Sequence, residues 1–181
     1  MVKLLKSNSA VFLDRDGVLN HCSMMNGKPS APRNYLDFRL YDGALDNLKL
    51  LKEKDFLTIV ITNQPDIGNG ITSLLEVQKM NQKLLNTQLI DKIYMCIHSQ
   101  KDNCLCRKPG TKMLFDAKND FNIDLSSSWL IGDRWSDISA GYNAGVRSVF
   151  IDYKYPESIG RIQSCIKVKD LKTAVTKIIT H

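Results

Sequence analysis

The sequence predicts an α/β fold, a three-layer Rossmann-like arrangement in which a mostly parallel sheet is covered by helices on both faces. Two observations predict it. Short apolar runs alternate along the chain with segments of helical period, the pattern of βαβ units. Two of those runs stop abruptly on carboxylates, Asp14 and Asp133, and in an open α/β sheet that edge is where ligands bind.

Ala10-Val11-Phe12-Leu13-Asp14 is an apolar run closed by a polar, Gly-containing turn, as in a buried parallel strand. From Asn20 to Phe38 no period is visible. Loops longer than about 12–15 residues are usually functional or disordered, so 20–38, leaving the end of the first strand, is expected to be a substrate loop. Asp42 is the expected N-cap of a helix to Lys54, with Leu45, Leu48 and Leu51 on its apolar face. The β-branched run Phe56–Ile61 is a second strand, stopping at Thr62-Asn63-Gln64-Pro65. Ser73-Leu74-Leu75-Glu76 has capping-box form and opens a helix to about Gln88. A third strand is expected at Asp91–Ile97, a helix at Thr111–Asn119, a strand at Ser128–Gly132 and a helix at Ser136–Asn143 ending near Gly145. A fifth strand at Val146–Ile151, a short one at Cys165–Val168 and a helix at Leu171–Ile179 complete the pattern, with Tyr153, Tyr155 and Pro156 in a turn between the last two strands.

The chain has 181 residues, 43% of them apolar and 24% charged, which suits one soluble domain spanning 1–181. Its net charge of +6 favours an anionic partner, and composition leaves a nucleic acid, an acidic membrane surface and a phosphorylated metabolite open. No apolar run approaches the ~20 residues of a membrane helix. The first nine residues are too short and interrupted for a secretion signal, so a cytoplasmic protein is expected. The five cysteines are odd in number, and Cys96, Cys104 and Cys106 crowd beside His98, which favours metal ligation over disulfides.

Asp14-Arg15-Asp16-Gly17 carries the chemistry. Buried carboxylates are costly unless paired or bound to a metal, so two of them directly after a buried strand require a cation or a reaction. One can attack phosphorus as a nucleophile; the other, two positions on, can donate and accept the proton of the leaving and attacking oxygens. If the strands ending at Asp14 and Asp133 are neighbours, the two acids can share Mg²⁺, which takes one or two carboxylates plus substrate phosphate. Asp137 serves equally well as support for that site or as a helix cap. Thr62 and Asn63 can offer hydroxyl, amide and backbone donors to phosphate oxygens, and Lys108 can neutralise a transferring phosphoryl group. Cys96, His98, Cys104 and Cys106 form a Cys₃His set suited to a closed, structural Zn²⁺ site on loop 96–106, tying down the segment that delivers Arg107 and Lys108.

Asp14-Arg15-Asp16-Gly17, Thr62-Asn63-Gln64, Arg107-Lys108-Pro109 and Gly132-Asp133-Arg134-x-x-Asp137 resemble, in order and across essentially the whole chain, motifs one to four of the haloacid dehalogenase-like (HAD) phosphatases. The resemblance implies Asp14 as nucleophile and Asp16 as general acid/base. It further implies Thr62 and Lys108 on the phosphoryl group, with Asp14, the Asp16 carbonyl and Asp133 on Mg²⁺. It implies a sheet in the strand order 5-4-1-2-3, no separate cap domain, and substrate contacts from Asn20, Asn63, Gln64, Arg107 and Arg134. The Cys-x-His…Cys-x-Cys-Arg-Lys-Pro loop is similar to that of subfamily IIIA, which holds heptose bisphosphate and histidinol-phosphate phosphatases. The expected substrate is therefore a small phosphorylated metabolite, a heptose bisphosphate losing its 7-phosphate or, alternatively, histidinol phosphate. Asn69 departs from the arginine usual in the heptose enzymes. Two further readings compete: a nucleic-acid 3′-phosphatase, which lacks an aromatic-interleaved basic stripe here, and a phospho-acceptor domain, in which Asp16 would hydrolyse the acyl phosphate too readily. A monomer binding neither nucleic acid nor membrane is expected.

Overall fold

The computed structural model describes residues 7–25, 27–155 and 165–181; the rest of the amino-terminal segment and Pro156 of the expected tyrosine turn lie outside the described residues. At its centre is strand β1 (Ala10–Leu13), four apolar residues with no exposed surface. It pairs in parallel with β4 (Leu57–Asn63) on one side and β6 (Trp129–Gly132) on the other. Beyond β4 lies β5 (Lys92–Cys96), and beyond β6 lie β7 (Arg147–Ile151) and β8 (Ile166–Val168), so the sheet runs β5-β4-β1-β6-β7-β8. The strand order implied by the motifs is observed, with the short last strand added at one edge. The crossover between first and fourth strands of the core puts the ends of β1 and β6 side by side: Leu13 is in register with Ile131, and the Asp14 N–H donates to the Ile131 carbonyl at 3.0 Å.

Helices cover both faces. Alternate residues of β1 point to opposite layers, as the two-residue period of a strand demands. Val11 and Leu13 pack with Leu48 and Leu51 of α1 (Ala44–Glu53), Met80 and Leu84 of α3 (Leu74–Leu85) and Val175 and Ile178 of α6 (Leu171–Ile179). Ala10 and Phe12 pack with Met113, Leu114 and Ala117 of α4 (Lys112–Phe121) and Ala140 of α5 (Trp135–Ala144). No helix among the described residues is long and apolar enough to cross a membrane.

Where sequence and structure differ, the causes are local. Helix α1 is entered through Gly43 at φ 75°, a left-handed conformation natural to glycine, so Gly43 and not Asp42 is the N-cap. Ser73 does cap α3, its hydroxyl accepting from Glu76 N–H at 3.2 Å, but the helix ends at Leu85, where the Thr87 hydroxyl bonds back to the Leu84 carbonyl. The 20–38 loop is not irregular throughout. It carries a hairpin of β2 (Ser23–Met25) and β3 (Lys28–Ser30), then a 3₁₀ turn at Tyr35–Asp37. Three-residue strands are too short for alternation to register. The same holds for α2 (Pro65–Gly68), a single turn after β4. Cys165, at the start of the expected short strand, is half-buried and precedes β8.

Helix α5 lies so close to β6 and β7 that a Cβ on Gly141 would overlap the Ser148 hydroxyl. Alanine there gains about 1 kcal/mol of helix propensity but overpacks the layer, which costs ~1–3 kcal/mol. Gly141→Ala is therefore expected to lower stability in urea denaturation, and Gly141→Ala with Ser148→Ala to recover most of the loss. Equal losses in both proteins would disprove the contact.

Candidate active site

The strand ends converge on one charged centre. Asp14 follows β1, Asp133 follows β6, and Asp137 stands one turn into α5, where its carboxylate accepts from the Arg134 N–H at 3.0 Å. Into this group reaches Lys108. Its ammonium lies 2.9 Å from Asp14 Oδ1 and 2.6 Å from Asp137 Oδ1, and donates to the Ile61 carbonyl at 2.8 Å. Asp137 thus does both things expected of it in the alternative: it closes the first turn of α5 and pairs with the buried lysine.

Burial sets the electrostatics. Desolvation pushes the Asp14 carboxyl up to about 7, with Lys108 pulling the other way. Asp133 is raised well above the ordinary carboxylate range, first by burial and then by the charges of Asp14 and Asp137. Lys108 is raised because the two carboxylates outweigh its own desolvation. Both Asp133 oxygens are buried and have no hydrogen-bond partner among the described residues, which is rare in a folded protein and is what a cation ligand looks like before its ion. Asp14, Asp133 and Asp137 offer oxygens within 4.8 Å of one another. Asp137 meets Lys108 with one oxygen and the Arg134 N–H with the other, whereas the contacts of Asp14 with Lys108 and the Arg15 N–H both fall on Oδ1, so Asp14 and Asp133 could hold a divalent ion.

Two glycines make this crowding possible. Gly17 has φ 94°, and a Cβ there would coincide with the Asp133 carboxylate. A Cβ on Gly132 would run into the Asp137 side chain. The glycine of the first motif is therefore required by space as well as by its turn.

Asp16 is held by a network that sequence reasoning missed. The guanidinium of Arg15, with no exposed surface, bonds both Asp16 oxygens at 3.0–3.2 Å, sends Nη1 to Asn81 Oδ1 at 2.8 Å and lies 5.6 Å from the Phe38 ring. Asn20 donates to Asp16 Oδ1 at 2.9 Å, and Gln64 to Oδ2 at 2.6 Å. The place of Arg15 between two acids is visible in the sequence, but the burial that makes this pairing obligatory is seen only in the fold.

A cleft of about 280 Å³ opens above these groups. It is lined by Asp14, Asp16, Asn63, Gln64, Arg107, Lys108, Asp133 and Arg134 from the expected set. Facing them are Cys22, Lys28 and Ser30 of the hairpin, so the 20–38 segment does reach the site. Cys22 is one of the lining residues, and burial pushes its thiol up. Asn20 and Thr62 are fully buried and do not line the cleft. Asn20 lies behind Asp16 and Thr62 behind Gln64. Asn63 grips the backbone of Lys108 in both directions, accepting from its N–H at 3.0 Å and donating to its carbonyl at 3.2 Å.

The cysteine loop stands beside this grip. Cys96 Sγ lies 3.6, 3.5 and 3.0 Å from His98 Nδ1, Cys104 Sγ and Cys106 Sγ, and Cys106 Sγ lies 3.2 Å from His98 Nδ1 and 3.6 Å from Cys104 Sγ. Bonds of ~2.3 Å at tetrahedral angles place ligands about 3.7 Å apart, so the four atoms are spaced for one zinc ion, around which the Cys96–Cys106 pair at 3.0 Å would open. Cys96 is in register with Asn63, and its carbonyl accepts from Gln64 N–H at 2.7 Å, so the ligand loop and the Lys108 grip share one strand end.

Comparison with known proteins agrees with this geometry. The HAD-hydrolase-like family model matches residues 105–153. The D-glycero-beta-D-manno-heptose-1,7-bisphosphate 7-phosphatase of Helicobacter pylori is 32% identical over 180 residues, covering 96% of this chain and 99% of that one. The D-glycero-alpha-D-manno-heptose-1,7-bisphosphate 7-phosphatase of Campylobacter jejuni is 33% identical over 151 residues, 78% of this chain and 81% of that one. The crystal structure of D,D-heptose 1,7-bisphosphate phosphatase from B. bronchiseptica, complexed with magnesium and phosphate, superposes with a TM-score of 0.82 at 23% identity over 95% of this chain and 98% of that chain. With its strand-end acids, buried lysine and cysteine loop in place, the chain belongs to the HAD-like hydrolases, in the family of the heptose-1,7-bisphosphate 7-phosphatases.

Proposed function

We propose that the protein is a Mg²⁺-dependent phosphoric monoester hydrolase that removes the 7-phosphate of D-glycero-D-manno-heptose 1,7-bisphosphate through a phospho-aspartate on Asp14. The observation that carries it is the placement of Asp14 at the foot of the cleft, between Lys108 at 2.9 Å and Asp133, whose oxygens have no hydrogen-bond partner among the described residues. Asp14, the Asp16 carbonyl and Asp133 are the groups to hold Mg²⁺, which when bound keeps the buried acids ionised and neutralises phosphoryl oxygens.

The chain's own residues then divide the reaction. An Asp14 oxygen attacks phosphorus and the sugar oxygen leaves, taking a proton from Asp16. Lys108 offsets the charge on the phosphoryl oxygens. Water next attacks the phosphorus of phospho-Asp14, gives its proton to Asp16, and inorganic phosphate leaves with Asp14 regenerated. The relatives' names supply the sugar, and the cleft supplies a reason for a second phosphate: Lys28, Arg107 and Arg134 ring it. Asn69, in place of the usual arginine, bonds Gln100 at 3.4 Å, and Lys28 on the opposite wall supplies a positive charge instead.

Zinc in the Cys₃His set is structural in this reading, since all four positions are protein ligands. The purified protein is expected to carry one zinc per chain. Stripping it should lower the thermal midpoint and kcat together, with no recovery on adding Mg²⁺; unchanged kcat in zinc-free protein would remove the positional role. Asp14→Asn should reduce phosphate release by at least ~10³-fold, and Mg²⁺-dependent turnover surviving in that variant would rule out the phospho-aspartate. Lys28→Ala should raise KM for the heptose bisphosphate about tenfold, in keeping with one charge-assisted contact of ~1.4 kcal/mol, while leaving KM for a heptose 7-monophosphate unchanged. Equal effects on the two substrates would move the second phosphate elsewhere.

A further inference from the structure

Gln64 is the cleft residue whose chemistry the mechanism has not used. It is 2% exposed, and its side-chain nitrogen is bonded twice, at 2.6 Å to Asp16 Oδ2 and at 2.9 Å to Thr62 Oγ1. An amide nitrogen has two hydrogens and accepts nothing, so both are committed within the protein. These two bonds fix polarity. Asp16 Oδ2 receives, while Oδ1 is already taken by Arg15 and Asn20. Thr62 Oγ1 also receives, so its own proton must point away from Gln64, and no described residue accepts it. One carboxamide therefore connects the acid/base to the hydroxyl at the end of β4.

We propose that Gln64 is a positioning residue that sets the orientation of the Asp16 carboxylate, with its second amide hydrogen anchored on the buried Thr62 hydroxyl behind it. It acts through Asp16 and not through the substrate. This rests on the phosphomonoesterase reading above. An amide is needed because the bridge demands two donors from one atom. Gln64→Glu keeps the shape but replaces the donors by acceptors, which would capture the Thr62 proton and repel Asp16. Gln64→Met keeps the length without charge and leaves both neighbours without their donor.

The variants are compared in kcat, KM and thermal midpoint. Losses in kcat of ~100-fold for Gln64→Glu and ~10-fold for Gln64→Met are expected, the scale of a misdirected proton-transfer group, with KM nearly constant. In a Thr62→Val background the Gln64→Met loss should shrink to below about threefold, because residues acting as one unit are not additive. A rise in KM at constant kcat, or a Gln64→Met loss as large in Thr62→Val as in the unsubstituted protein, overturns the proposal. A measurement that needs no Gln64 variant uses protein labelled with ¹⁵N-glutamine. The buried Gln64 NH₂ pair should be protected from exchange and should shift in Thr62→Val. A pair that ignores Thr62→Val but moves on adding inorganic phosphate would make Gln64 a substrate contact instead. Asp14→Asn separates the two levels: turnover surviving there removes the proposed reaction, whereas the link between Gln64 and Thr62 would still be read in the amide signals.

Discussion

The ammonium of Lys108 is the charge on which the rest of the site depends. It is nearly inaccessible to water, and it touches Asp14, Asp137 and the Ile61 carbonyl at once. Each of those acids would be expensive in the interior alone. One lysine offsets part of the cost of Asp14 and Asp137 by direct contact, and for Asp133 its charge and that of Arg134 are outweighed by burial and by the neighbouring acids. The imbalance leaves Asp14 raised to about 7 and Asp133 well above the ordinary carboxylate range, both by burial first. A site with more buried negative charge than its own cations can balance is poised for a divalent ion and a phosphoryl group together, because each supplies what the other and the protein lack.

Holding that lysine in place is shared among distant parts of the chain. Asn63 fixes its backbone from the end of β4, and the Cys₃His loop joins the same strand end through Cys96. Gly110, just past the lysine, fits only without a Cβ, which would overlap the Leu105 carbonyl. On the opposite side, Gly17 and Gly132 admit the carboxylates of Asp133 and Asp137. Missing side chains thus bring four charges into contact as surely as the charged ones do.

The fold was legible because each core strand is an apolar run bounded by turn residues, and Leu171–Ile179 matches its helix at both ends. The strand-end acids were legible for a related reason: Asp14 and Asp133 interrupt apolar runs, and nothing in core packing explains them. What stayed hidden depends on contacts between segments far apart in sequence. Arg15 reads as a polar residue between two acids, and only the fold shows its guanidinium buried between Asp16 and Asn81. Asn63 reads as a phosphate donor and Gln64, through the resemblance, as a substrate contact, yet their amides serve Lys108, Asp16 and Thr62. An amide announces its capacity to bond, not its partner.

The hairpin separates specificity from this chemistry. A two-stranded ribbon is marginally stable by itself, so β2 and β3 need anchoring to shape a cleft. The anchors lie in the segment after β3: Arg33 pairs with Asp66 of α2 at 3.1 Å, its carbonyl accepts from the Thr72 hydroxyl at 2.5 Å, and the Tyr35 N–H donates to Glu76 of α3 at 2.6 Å. None of these groups touches Lys108 or the strand-end acids. Residues on the ribbon, Lys28 and Ser30 among them, can therefore change without disturbing the buried charge balance, and the charged centre can stay constant while the wall that faces the sugar varies.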